Sequence, residues 1–85
     1  MKEFTYTITD ELGIHARPAG LLVKEAGKYN SRVTIECNGK SADGKKIFSV
    51  MSLGVKCGNT LTVKLEGDDE VEASMGMEEF FKKNL

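Results

Sequence analysis

A chain of 85 residues, 40% hydrophobic and 29% charged, has globular composition and lies near the lower size limit for folding without staples. Its 12 basic and 13 acidic residues leave a net charge of −1, which gives no basic excess for general binding to nucleic acid or an anionic membrane surface. Two cysteines, Cys37 and Cys57, with no CxxC spacing and one histidine to help them, argue against a disulfide framework and a zinc site; both read as reduced packing residues.

The start, "MKEFTYTITD", lacks an apolar core of signal-peptide length, and no apolar run could span a bilayer. A single soluble, cytoplasmic domain over 1–85 is expected. "KEFTYTITD" alternates Phe4, Tyr6 and Ile8 with polar residues, the period of a half-buried strand. From Ala16 to about Lys28, Ala19, Leu22, Val23 and Ala26 form one apolar stripe at helical spacing. "RVTIEC" is a second alternating strand, and "NGK" after it carries the Asn-Gly hairpin signal. The return through Ser41 and Ala42 is short and weakly apolar, so an irregular edge is expected.

A short apolar helix follows from Lys46 to Leu53, before Gly54, a helix-stop residue. "TLTVKLE" at 60–66 is a third clear alternation. The last helix begins near Asp68 or Asp69, either of which can cap it, and ends with Lys82 and Lys83, as the helix dipole favours. Val71, Ala73, Met77, Phe80 and Phe81 are its expected core contacts. The order β-α-β-β-α-β-α predicts an α+β fold, a mainly antiparallel sheet with helices on one face.

The only histidine and the only proline stand together in "LGIHARPAG". If the first helix begins at Ala16, His15 is its N-cap and Pro18 lies in the first turn, where proline is tolerated. Histidine is a poor cap by propensity, so selection for something other than helix stability is indicated. The helix start offers the N–H groups of Ala16 and Arg17 and the positive end of the dipole to an anion. Arg17 adds a guanidinium fork suited to phosphate oxygens. An imidazole is largely uncharged at cell pH and nucleophilic in that form. Gly13 and Ala16 leave room for another protein. These residues suit a histidine that takes up a phosphoryl group and passes it on. No Ser-His-Asp or Cys-His set can be assembled for hydrolysis.

"GIHARPA", followed in order by "AGKYNSRVTI", "NGKSADGK", "VMSLGVKCGNTLTV" and an acidic-to-Phe terminal helix, resembles the HPr family of histidine phosphocarriers over nearly the whole chain. The resemblance implies an open-faced β-sandwich, four antiparallel strands covered by three helices. It implies that Enzyme I passes a phosphoryl group from phosphoenolpyruvate to Nδ1 of His15, that Arg17 stabilises it, and that the A domain of a sugar-specific Enzyme II receives it. A carrier of this kind is not itself an enzyme, needs no cofactor or metal, and is expected to be a monomer that contacts neither nucleic acid nor the membrane interior.

The resemblance also implies a docking surface at Leu21, Lys24, Ile47, Phe48 and Met51. Helical spacing puts Arg17, Leu21, Lys24 and Lys28 opposite the core stripe, whereas Val50 and Leu53 read as core. One position departs from the family: Gram-positive-type relatives start the second helix with a serine that a kinase phosphorylates, and "GKKIFSV" has Lys46 there, which cannot accept a phosphoester. Two other readings remain at this level, a regulatory paralogue that signals rather than feeds transport, and an interaction domain with an incidental capping histidine.

Overall fold

The alternating segments pair into one sheet with a single apolar face. In the computed structural model, which describes residues 1–85, the strands are β1 (Lys2–Thr7), β2 (Arg32–Cys37), β3 (Lys40–Asp43) and β4 (Thr60–Glu66). Their order across the sheet is β1-β4-β2-β3, antiparallel throughout. Register aligns the inward residues: Phe4 and Ile35 flank Val63, and Val33 pairs with Leu65. The other face is polar, with Thr5 beside Thr62 and Thr34 beside Lys64, and the Lys64–Glu36 ion pair at 3.0 Å lies on it.

The helices α1 (Ala16–Ala26), α2 (Ile47–Ser52) and α3 (Glu70–Asn84) cover the apolar face. Leu22, Val50, Met77 and Phe81 bring their fully buried side chains to Val33, Ile35, Leu61, Val63 and Leu65 in one core cluster. Phe81 packs on the rings of Phe4 and Tyr6, with centroids 5.8 and 5.6 Å away. Each such buried side chain contributes roughly 1.5–3 kcal/mol.

Several expectations are refined. β1 ends at Thr7, although buried Ile8 still donates its N–H to the Asn59 carbonyl at 2.9 Å. α1 stops at Ala26, so Gly27 caps the helix and weakens no interior turn. β3 is short, as expected, but regular, pairing along its whole length from Lys40–Cys37 to Asp43–Thr34. The turn before it has positive φ at Asn38 (54°) and Gly39 (78°), the combination that matches strand twist. Val71 is 53% exposed and is no core contact, because it falls on the outer side of α3 from Ala73 and Met77. Cys37 is buried and its thiol is pushed up by that burial; Cys57 is exposed and is no core residue, its thiol donating to the Thr9 carbonyl at 3.7 Å.

Asp69 is the N-cap of α3, yet its side chain caps nothing. Its carboxylate instead accepts from Asn30 N (2.8 Å), Ser31 N (2.9 Å) and the Ser31 hydroxyl (2.5 Å). It thereby ties the start of α3 to the turn between α1 and β2. The Ser31 hydroxyl, then the backbone N–H groups, hold this carboxyl below its ordinary range. A carboxylate lowered by folding stabilises the fold above the unfolded value and loses that contribution as pH falls towards the folded value. Asp69→Asn is therefore expected to lower Tm at pH 7, with a gap to wild type that closes below about pH 4. Melts across pH 7 to 2.5 would check this, and a gap that stayed constant would refute it.

Candidate functional site

His15 gives its main chain to α1 and keeps its side chain free. Its φ and ψ are −106° and −170°, outside the helical region, and its imidazole caps nothing. Its carbonyl accepts the first helical bond, from Ala19 N at 2.9 Å. Ala16 and Arg17 follow as the first helical residues, so neither N–H has an acceptor within the helix, and no loop group supplies one. Pro18, buried in that turn, has no N–H to lose. The imidazole is half-buried while Ala16 and Arg17 are exposed.

The loop that delivers His15 is held from beneath. Ile14 N donates to the Val55 carbonyl at 3.1 Å, and Gly13 N to the Asp10 carbonyl at 3.0 Å. Leu12 N donates to the Asp10 carboxylate at 2.9 Å. Gly13 has a left-handed φ of 67°, and a Cβ there would strike the Val55 carbonyl oxygen and stand 2.7 Å from Lys56 Cα. Gly13 is buried, so its small size serves close packing of the loop on the 55–56 backbone, not access for another protein.

An open concavity of about 300 Å³ is lined by Asp10, His15, Arg17, Pro18, Leu21 and Asn84. Asp10 and Asn84 were not singled out from sequence. Asn84 arrives from the end of α3 because the Leu85 main-chain oxygen accepts from Thr9 N (2.6 Å), Asp10 N (2.9 Å) and the Thr9 hydroxyl (3.0 Å). A larger hollow of about 390 Å³ runs along the β2–β3 turn past Glu36, Lys40 and Thr62. It contains no imidazole and no helix start.

Beside the concavity, Leu21 (42%), Phe48 (83%) and Met51 (38%) are exposed. Lys24 is exposed and Ile47 half-buried, and Val50 and Leu53 are core. Ile47 Cδ1 lies 3.8 Å from where a Cβ on Gly20 would stand, so α2 seats on α1 next to Leu21. Lys28 is held by Glu25 at 2.9 Å. Leu12, in the loop three residues before His15, is 72% exposed; its loop position gave no periodicity to reveal it.

No cluster of three or more His, Cys, Asp or Glu side chains is gathered as for a metal ion, and no helix is long and apolar enough to cross a membrane. The imidazole has no side-chain partner to take or give a proton. It has unpaired N–H donors, a guanidinium and a positive helix end beside it, all suited to a bound anion. An imidazole beside groups that hold negative charge suits a carrier of an anionic group.

Comparison with known proteins is specific. The family described as "PTS HPr component phosphorylation site" matches residues 2–83. The phosphocarrier protein HPr of Mycoplasma capricolum subsp. capricolum is 42% identical over 73 residues, 86% of this chain and 82% of that protein. The structure of HPr-C-His from Thermoanaerobacter tengcongensis superposes with a TM-score of 0.94 at 40% identity, covering 99% of this chain and 94% of the other. HPr from Bacillus anthracis gives 0.88 at 31% identity, covering 94% and 95%. The chain belongs to the HPr family: it is a phosphocarrier of the phosphotransferase system (PTS), which relays a phosphoryl group through a histidine and is not itself an enzyme. Enzyme I and Enzyme II are the partners that membership implies.

Proposed function

We propose that His15 is the phosphoryl acceptor, that it is charged by Enzyme I in the cytoplasm, and that it delivers to the A domain of a sugar-specific Enzyme II. The observation that carries this is the free imidazole at the amino-terminal end of α1, with the N–H groups of Ala16 and Arg17 unpaired beside it. In the neutral tautomer protonated on Nε2, the Nδ1 lone pair attacks the phosphorus of the donor's phosphohistidine. The new N–P bond forms as the donor's N–P bond breaks, and the donor imidazole leaves with the electron pair. The phosphoryl oxygens then face the Ala16 and Arg17 N–H groups and the Arg17 guanidinium, charge-assisted contacts stronger than neutral hydrogen bonds. Delivery to Enzyme II is the same exchange in reverse, with this imidazole leaving.

Leu21, Lys24, Ile47, Phe48 and Met51 form the docking face in this reading. Their exposure beside the concavity supports it, since an apolar patch next to a reactive group marks an interaction site. A monomer suffices, because every group used lies on one chain, and one domain carries the whole function.

The test is intact-mass analysis after incubation with phosphoenolpyruvate, magnesium and Enzyme I. One added phosphoryl group is expected, lost in acid, stable in base, and discharged on adding an Enzyme II A domain. No addition to the folded protein with active Enzyme I would overturn the reading in favour of a regulatory paralogue.

A further inference from the structure

The concavity that suits an anion also has a carboxylate in its wall. Asp10 lines it together with His15 and Arg17 and is half-buried. Its main chain is engaged at both ends: the N–H donates to the Leu85 main-chain oxygen at 2.9 Å, and the carbonyl accepts from Gly13 N at 3.0 Å. In the side chain, Oδ1 accepts from Leu12 N at 2.9 Å, an Asx turn that shapes the loop before His15. Oδ2 takes no hydrogen bond, and Asp10 joins none of the ion pairs.

The turn does not call for this charge. Asparagine or serine would accept from Leu12 N in the same way, and neither would bring a negative charge to a place that receives a phosphoryl dianion. Arg17 is the only other charged side chain in the lining, and the two are not ion-paired, so no contact cancels the charge of Asp10. Across an opening of about 300 Å³ two charges still feel each other, because salt at 0.1 M screens over about 10 Å. A local choice that opposes the bound anion without a structural return points to function.

We propose that Asp10 is a positioning residue for phosphoryl transfer, whose carboxylate opposes the phosphoryl group on His15 across the concavity and so makes the charged carrier a readier donor. The inference rests on His15 as the acceptor and extends that reading. The helix start and Arg17 lower the energy of the phosphorylated state, and Asp10 raises it by like-charge repulsion. A carrier has to lose its group as well as gain it, and a phosphoimidazole held too well would load but not discharge. In discharge the acceptor's nucleophile bonds to phosphorus, the Nδ1–P bond of His15 breaks, and its electron pair stays on Nδ1. The phosphoryl charge leaves the concavity with the phosphorus, so the repulsion is relieved along the step. Loading is the reverse exchange and meets the same repulsion. Asp10 therefore sets the balance between the two.

The test mixes phospho-Enzyme I, freed of phosphoenolpyruvate, with unphosphorylated carrier and reads the phosphorylated fraction at equilibrium by intact mass. Asp10→Asn and Asp10→Ser both keep an acceptor for Leu12 N and remove the charge, and melting curves confirm the fold of each. Glu66→Gln removes another exposed carboxylate that joins no ion pair, at the end of β4 and outside the concavity. Both Asp10 variants are expected to move the equilibrium constant towards phosphorylated carrier on the order of fivefold at low salt, and to lose the group to water more slowly. The shift should shrink at high salt, and Glu66→Gln should match wild type. A residue that only shapes the turn would leave Asp10→Asn equal to wild type at every salt concentration. That result, an equal shift in Glu66→Gln, or a shift indifferent to salt would overturn the proposal while leaving His15 as acceptor. Wild type that is never phosphorylated would overturn the underlying reading itself.

Discussion

Replacing His15 with alanine is expected to abolish phosphoryl transfer while leaving the fold intact. The imidazole makes no hydrogen bond in the structure, and the backbone bond from Ala19 N to its carbonyl survives in His15→Ala. The cost in stability should therefore be within about 1 kcal/mol, the range for altering a cap that makes no side-chain bond. Transfer, by contrast, loses its only nucleophile, and no other histidine exists in the chain. Thermal melting and the phosphorylation assay run on the same sample separate the two effects. Residual transfer near the wild-type rate would sink the assignment of His15, and a collapsed melt would show that the imidazole has a structural part.

The second large effect falls on a residue that performs no chemistry. Gly13→Val puts a β-branched side chain at a left-handed φ of 67°, which costs about 1–2 kcal/mol before any contact is considered. Its Cβ would also meet the Val55 carbonyl and Lys56 Cα, backbone atoms that cannot rotate away, which adds about 1–3 kcal/mol. The sum, about 2–5 kcal/mol, is a large share of the roughly 4–13 kcal/mol that a chain of this size has in total. Since Ile14 N is bonded to the same Val55 carbonyl, relief by moving the loop would displace His15 as well. Both Tm and transfer rate are expected to fall. A variant with wild-type melting and wild-type transfer would show that the loop is not held as described.

How much of this was legible in the sequence follows from the range of each contact. The strand alternations at 32–37 and 60–66 and the Asn-Gly turn were read with their boundaries, because a period of two and a turn dipeptide are local signals. The start of α1 at Ala16 was legible for the same reason, with Pro18 and His15 marking it. Asp69 illustrates the opposite case: read as a cap, it bonds instead to Ser31, 38 positions away. Asn84 reaches the concavity through a link between Thr9 and Leu85, 76 positions apart. Gly13 was given an open surrounding because nothing near it in sequence announces the 55–56 backbone. Val71 fits an apolar pattern on α3, yet the packing of Ala73 and Met77 turns it outward.

The imidazole and the exposed patch of Leu21, Phe48 and Met51 share one side of the molecule, and the opposite side of the sheet offers threonines, Ser41 and charged side chains. Under the proposed assignment, the protein that loads the carrier and the protein that unloads it must cover the same ground. They cannot be bound together, so the relay is a shuttle and its throughput includes two departures. Long residence in either complex would slow it, which favours fast encounter and short-lived docking over tight binding. A contact patch built around three exposed apolar side chains and a few mobile cations suits that requirement better than a large, dry interface would.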